Sequence, residues 1–229
     1  MFKRHHHQRI AQILASLNQS LLCTTDCFFA GGTAITLLLN EYRESIDIDF
    51  LCSSSDGYRT LRNTITQSSL GALLPNAKYL RDVRADRYGI RTIIVIDDTP
   101  IKFEIVREDR ISLSGAPLEL FSGVPTLHRE DLFAEKLLAN TDLGLDKMSL
   151  NRDMIDLALM CHYWEEIPLP AWKKAETTYG KAMIKCFNEV RTALLDDEAY
   201  LVSCLNKMSM DSMWLNVIQA VLSRINVPE

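Results

Sequence analysis

Any fold for this chain has to accommodate Asp47 and Asp49, which stand one residue apart in Ile46-Asp47-Ile48-Asp49-Phe50. Successive side chains of a strand take opposite faces, so this reading sends both carboxylates to one face and Ile46, Ile48 and Phe50 into the protein. Two carboxylates that close repel each other unless a cation lies between them. A divalent metal with oxygen ligands answers that need. Upstream, Gly31-Gly32-Thr33-Ala34 opens a short apolar helix running through residues 33–40. Glycines at a helix start leave backbone N–H groups open to phosphate oxygens. Each piece alone has a plainer meaning, a tight turn for Gly-Gly and a solvated strand for Asp-x-Asp. Together, a phosphate cradle and paired carboxylates point to nucleotide chemistry.

A third acid follows. Residues 88–96 are β-rich, 97–100 read as a turn, and 101–106 return as the second strand of a hairpin. Alternation in that strand places Ile101, Phe103 and Ile105 on one face and Lys102, Glu104 and Val106 on the other. Beside the strand of Asp47 and Asp49, Glu104 completes a three-carboxylate cluster; otherwise Lys102 and Glu104 form a solvent face. Arg81, Arg84, Arg87 and Arg91 recur with Asp82 and Asp86 between them. They read either as a charge-laced surface hairpin or as contacts for a substrate's phosphates.

The remaining elements are read by period and punctuation. Residues 8–22 have helical spacing, 26–30 form a strand, 46–52 carry the aspartates, and Asp56 caps a helix toward Gln67. Ser114-Gly115-Ala116-Pro117 and Gly123-Val124-Pro125 separate strands from a helical remainder. The expected division is therefore an α/β core over residues 1–123 and an all-helical region over 124–229. Within the latter, Lys136 and Asp153 fall on apolar helix stripes, where charges need partners or a ligand. They read as an ion pair bracing two helices, or as groups that meet a nucleotide.

Composition limits the partners. A net charge of −5 in 229 residues gives no bulk positive charge for nucleic acid, so RNA binding would need a local basic patch. No apolar run approaches a membrane span, and the N-terminus has no secretory pattern, so the expected location is the cytoplasm. The six scattered cysteines fit reduced thiols. Cys23-x-x-x-Cys27 has no answering pair at zinc-like spacing.

The run Gly31-Gly32-Thr33-Ala34, its apolar helix, and Arg43-x-Ser45-x-Asp47-x-Asp49-Phe50 resemble the AbiEii/AbiGii-type nucleotidyltransferases. Those are toxin components of bacterial toxin–antitoxin and phage-defence systems, within the polymerase-β-like superfamily. Lys102-Phe103-Glu104 resembles the family's third acidic strand, where aspartate is common. Asp131-Leu132-Phe133-Ala134-Glu135-Lys136-Leu137 and Arg152-Asp153-Met154-Ile155-Asp156-Leu157 look like its later motifs, whose needed lysine and aspartate carry over onto Lys136 and Asp153. The resemblance covers roughly residues 28–159 and stops past Trp164.

It implies an α+β fold: a nucleotidyltransferase mixed sheet flanked by helices, followed by helices alone. It implies Mg²⁺ on Asp47 and Asp49, with Glu104 completing a two-metal site. NTP phosphates would lie on Gly31, Gly32, Thr33 and Lys136, with Asp153 near the nucleotide. A nucleoside monophosphate would pass to a hydroxyl of an acceptor such as tRNA or protein, under the control of an antitoxin. The competing expectations are transfer to a small molecule, and a catalytically silent interaction module of the same fold. The Met- and Trp-containing tail reads as core or as a partner surface.

Overall fold

Alternating burial along the strands builds one mixed sheet. Ile101, Phe103 and Ile105 are fully buried on β6 (Thr99–Arg107), while Lys102 is exposed and Glu104 half-buried on the other face. The strand order is β1 (Cys27–Ala30), β2 (Ile48–Cys52), β6, β5 (Gly89–Ile96), β3 (Lys78–Tyr79), with β4 (Arg84–Ala85) also paired to β5. β2 and β6 run parallel and the other pairs antiparallel. Phe29, Phe50 and Phe103 form an aromatic ladder behind the sheet, with successive ring centroids 5.5 and 5.8 Å apart.

This computed structural model describes residues 2–113, 120–121 and 123–228. The chain divides into two units, Met1–Leu37 with Ser45–His128, and Leu38–Glu44 with Arg129–Glu229. The expected break at Ser114–Pro117 lies outside the described residues, whereas Val124–Pro125 forms β8, paired to β7 (Leu120–Phe121).

Several local expectations are corrected. The helix expected over residues 8–22 is two, α1 (His5–Ser16) and α2 (Gln19–Thr24). Asn18 separates them because its side chain accepts from the Leu21 N–H and caps α2. The next helix, α3 (Gly31–Leu38), follows β1 directly and stops before Asn40 and Glu41, both left-handed at φ 61° and 57°. The cap of α4 (Ser55–Thr64) is Ser54, which accepts from Gly57 N–H, and Asp56 sits inside the first turn. The hairpin turn is two residues, Asp97 and Asp98, at φ 46° and 58°, so Ile96 pairs with Thr99.

The second unit contains α5 (Arg129–Leu143), α6 (Arg152–Trp164), α7 (Leu169–Tyr179), α8 (Lys181–Asp196), α9 (Glu198–Lys207) and α10 (Trp214–Arg224). In the helical tail, Trp172, Met208 and Met210 are buried core, Tyr179 and Trp214 are half-buried, and Met213 is exposed. Among the described residues no helix is long and apolar enough to cross a membrane.

Candidate active site

Asp49 lies on β2 with Ala30 of β1 on one side and Glu104 of β6 on the other. Paired residues share a face, so Asp49 and Glu104 project together. Asp47 precedes the strand, which begins at Ile48, and Ile46 is 54% exposed. The expectation that Ile46 points inward is therefore corrected: this stretch is not yet strand, and His6 Nε2 approaches the Ile46 carbonyl at 3.0 Å. Counting one step past the Ile48–Phe103 pair sets Asp47 opposite Lys102.

Gly31 closes the cradle from the other side. Its φ is +74°, and a β-carbon there would fall 2.9 Å from Asp49 Oδ2. Both the backbone conformation and the space demand glycine. Gly31 and Gly32 remain half-buried, so the start of α3 reaches the surface beside Asp49. The first N–H groups of a helix have no intrahelical acceptor and carry the positive end of its dipole. Thr33 is buried, and its hydroxyl shares a 2.7 Å hydrogen bond with that of Ser45. The family resemblance implies a place for this hydroxyl at the phosphates.

Glu104 is occupied by cations. Its Oε1 accepts from Arg91 Nε at 2.6 Å, and its Oε2 lies 2.7 Å from Lys102 Nζ. Burial works against the charged carboxylate, but Lys102 and Arg91 outweigh it and hold its pKa below the usual glutamate value. Burial likewise opposes the ammonium of Lys102, and Glu104, Asp49 and Asp47 together overcome it and raise its pKa. This end of the sheet favours a cation, as the repelling carboxylates require.

Asp47 and Asp49 have the chemistry a hard ion needs: oxygen donors, half open to solvent. Among the described residues no three His, Cys, Asp or Glu side chains stand together as metal ligands. The three-carboxylate cluster expected from the sequence is thus not assembled, because Glu104 has its oxygens on Arg91 and Lys102. An ion held here would rest on two protein carboxylates and complete its shell with substrate and water, the arrangement Mg²⁺ commonly takes.

Lys136 and Asp153 belong to the second unit and meet there. Lys136 Nζ is 2.7 Å from Asp153 and 2.7 Å from Asp156. Asp156 is completely buried and also accepts from Tyr42 O–H at 2.5 Å and from Arg43 Nε and Nη2 at 2.7 and 2.9 Å. Burial would push the Asp156 carboxyl up, but Arg43 and Lys136 hold it far below the ordinary range. Asp156 is the hub of this network. The signal available was the motif itself, with Asp156 three residues after Asp153 and so on the same side of α6.

A family model described as "Nucleotidyl transferase AbiEii toxin, Type IV TA system" matches residues 12–203. The chain belongs to the AbiEii family. Two solved structures from Helicobacter pylori are similar to it. One, described as a candidate nucleotidyltransferase, is 19% identical with a TM-score of 0.56, covering 95% of this chain and 92% of that one. The other, JHP933, is 19% identical with a TM-score of 0.57, covering 97% and 92%. At that identity the likeness establishes the fold, an α+β nucleotidyltransferase architecture. No curated protein matches the chain. For this AbiEii family member the matched span includes Asp47, Asp49, Glu104, Lys136 and Asp153.

Proposed function

We propose that the chain transfers a nucleoside monophosphate from an NTP to an acceptor hydroxyl, on the sheet face that carries Asp47 and Asp49. The observation that carries this reading is the contact at Gly31: a positive-φ glycine at a helix start, with room for no β-carbon, against the Asp49 carboxylate. This contact supports the reading because helix-start N–H groups suit phosphate oxygens and a carboxylate beside them suits a hard metal ion. The backbone of Gly31 and Gly32 would hold the β- and γ-phosphates. Asp47 and Asp49 would hold one Mg²⁺, which supplies charge neutralisation at the phosphate oxygens when bound. Thr33, bonded to Ser45, would fix the helix start rather than reach the phosphates.

Lys136 and Asp153 are assigned here to the framework of the helical unit, since the Lys136 ammonium already has two carboxylate partners. Membership of a Type IV toxin–antitoxin family supports a role as a toxin held in check by an antitoxin. A role in phage defence, with tRNA or protein as the acceptor, is part of the same proposal.

The test is transfer of label from each α-labelled NTP to whole-cell RNA and protein with Mg²⁺, comparing the wild type with Asp49→Asn. Positioning and charge stabilisation carry most of the rate in phosphoryl transfer, so the variant should lose at least ~100-fold. Equal labelling by the variant removes the mechanism.

A further inference from the structure

The strand registers connect the proposed site to the arginines. Ala30 pairs with Asp49, Asp49 with Glu104, Glu104 with Arg91, and Arg91 with Arg84. These five residues form one row across β1, β2, β6, β5 and β4, on a single face of the sheet. Charge changes sign along it, from the carboxylates of Asp49 and Glu104 to the guanidiniums of Arg91 and Arg84. With strands about 4.8 Å apart, Arg91 and Arg84 stand roughly 10 and 14 Å from Asp49.

The cationic end of the row opens on a cavity of about 520 Å³ lined by Arg81, Arg84, Arg91 and Lys102, with Asp82 the one acid in its wall among the described residues. Arg84 and Arg91 face each other directly, and like charges in that position destabilise a sheet. The ion pairs on this face, among the described residues, join Arg91 to Asp86 and Glu104, and Lys102 to Glu104; Arg81 and Arg84 are in none of them. A chain with a net charge of −5 thus gathers the guanidiniums of Arg81, Arg84 and Arg91 around one cavity.

In nucleotidyl transfer the attacking oxygen and the leaving pyrophosphate lie on opposite sides of the reacting phosphorus. If Gly31 holds the leaving phosphates, the acceptor enters from the other end of the row, over Glu104 and Arg91. Resting on the nucleotidyl-transfer reading, we infer that Arg81 and Arg84 form an anion subsite for a phosphate group of the acceptor, with Arg91 and Lys102, which hold Glu104, completing its wall. Guanidinium forks match phosphate oxygens two at a time, which orients the acceptor as well as attracting it. A mononucleotide and a phosphodiester chain both offer this group.

The experiment uses the full chain as wild type, Arg84→Glu and Arg84→Lys. Anisotropy of a fluorescein-labelled ten-residue RNA is read at 50 and 200 mM salt, and AMP and NTP binding are each read by calorimetry. The expected result is salt-sensitive RNA binding that weakens at least ~10-fold in Arg84→Glu and much less in Arg84→Lys, with NTP affinity unchanged. Competition by AMP would identify a lone phosphate as sufficient; RNA binding without AMP binding would identify the diester chain. Unchanged RNA affinity in Arg84→Glu, or wild type that binds NTP but neither RNA nor AMP, overturns the subsite. Wild type that binds no NTP removes the underlying nucleotidyl-transfer reading, and the acceptor subsite with it.

Discussion

Glu104 and Asp156 are both neutralised by cations, yet they differ sharply in what their loss should cost. Glu104 pairs with Arg91 and Lys102, whose side chains are 41% and 51% exposed. Solvent screens those pairs, so Glu104→Gln should cost at most about 1 kcal/mol in urea unfolding. Asp156 is fully buried between Arg43 and Lys136. Replacing it with Asn strands two buried cations, and the expected loss is about 3–5 kcal/mol. The pH dependence follows from the depressed folded pKa of Asp156. Its contribution is fully present above the unfolded value near pH 4 and is lost as pH falls toward the folded value. Unfolding midpoints at pH 7 and pH 3 should therefore converge more in Asp156→Asn than in the wild type. Gly31→Ala is a different kind of change. It adds a β-carbon 2.9 Å from Asp49 Oδ2 at a φ of +74°, which strains the backbone by about 1–2 kcal/mol and displaces the carboxylate. Labelled-NTP transfer should fall far more than the unfolding midpoint does, and a variant that kept full activity would show that the close approach is incidental.

At the level of elements, periodicity was a good guide wherever one face is buried. The alternation of Ile101, Phe103 and Ile105 against Lys102 and Glu104 was legible because β6 has a full apolar core behind it. Partners across strands were less accessible. The Arg91–Glu104 pair follows by counting from a two-residue Asp97-Asp98 turn, but not from the four-residue turn that Thr99 and Pro100 invited. The Gly31–Asp49 contact was legible only as two adjacent motifs, since the register that joins them passes through Ala30. The break between α1 and α2 hinged on Asn18, a cap hidden inside an unbroken apolar period. Caps also offer a test at this scale. Ser54 accepts from Gly57 N–H at the start of α4, and Ser54→Ala should lower stability by about 1 kcal/mol, with Ser54→Asp restoring most of it. Equal stability of Ser54→Ala would mean that water replaces the cap without cost.

For the chain as a whole, the helical unit is not a contiguous piece of sequence. It recruits Leu38–Glu44, which stand between the glycine pair and the aspartates, and with them Tyr42 and Arg43. Those two residues reach Asp156 across 114 and 113 positions, a pairing that no local pattern could have announced. Cutting the chain after His128 would therefore remove two of the three side chains that bond Asp156 and leave its carboxylate to Lys136 alone. A buried charge short of partners is among the costlier defects a core can carry. The fragment 129–229 should accordingly be much less stable than the same residues in the full chain, by about 3 kcal/mol or more. A second fragment carrying Asp156→Leu with Lys136→Met removes the need for Arg43, because apolar replacements of a buried ion pair are often neutral or better. Its urea midpoint should exceed that of the unmodified fragment. If both fragments unfold at the same midpoint, the Arg43–Asp156–Lys136 network is not what ties Leu38–Glu44 to the helices.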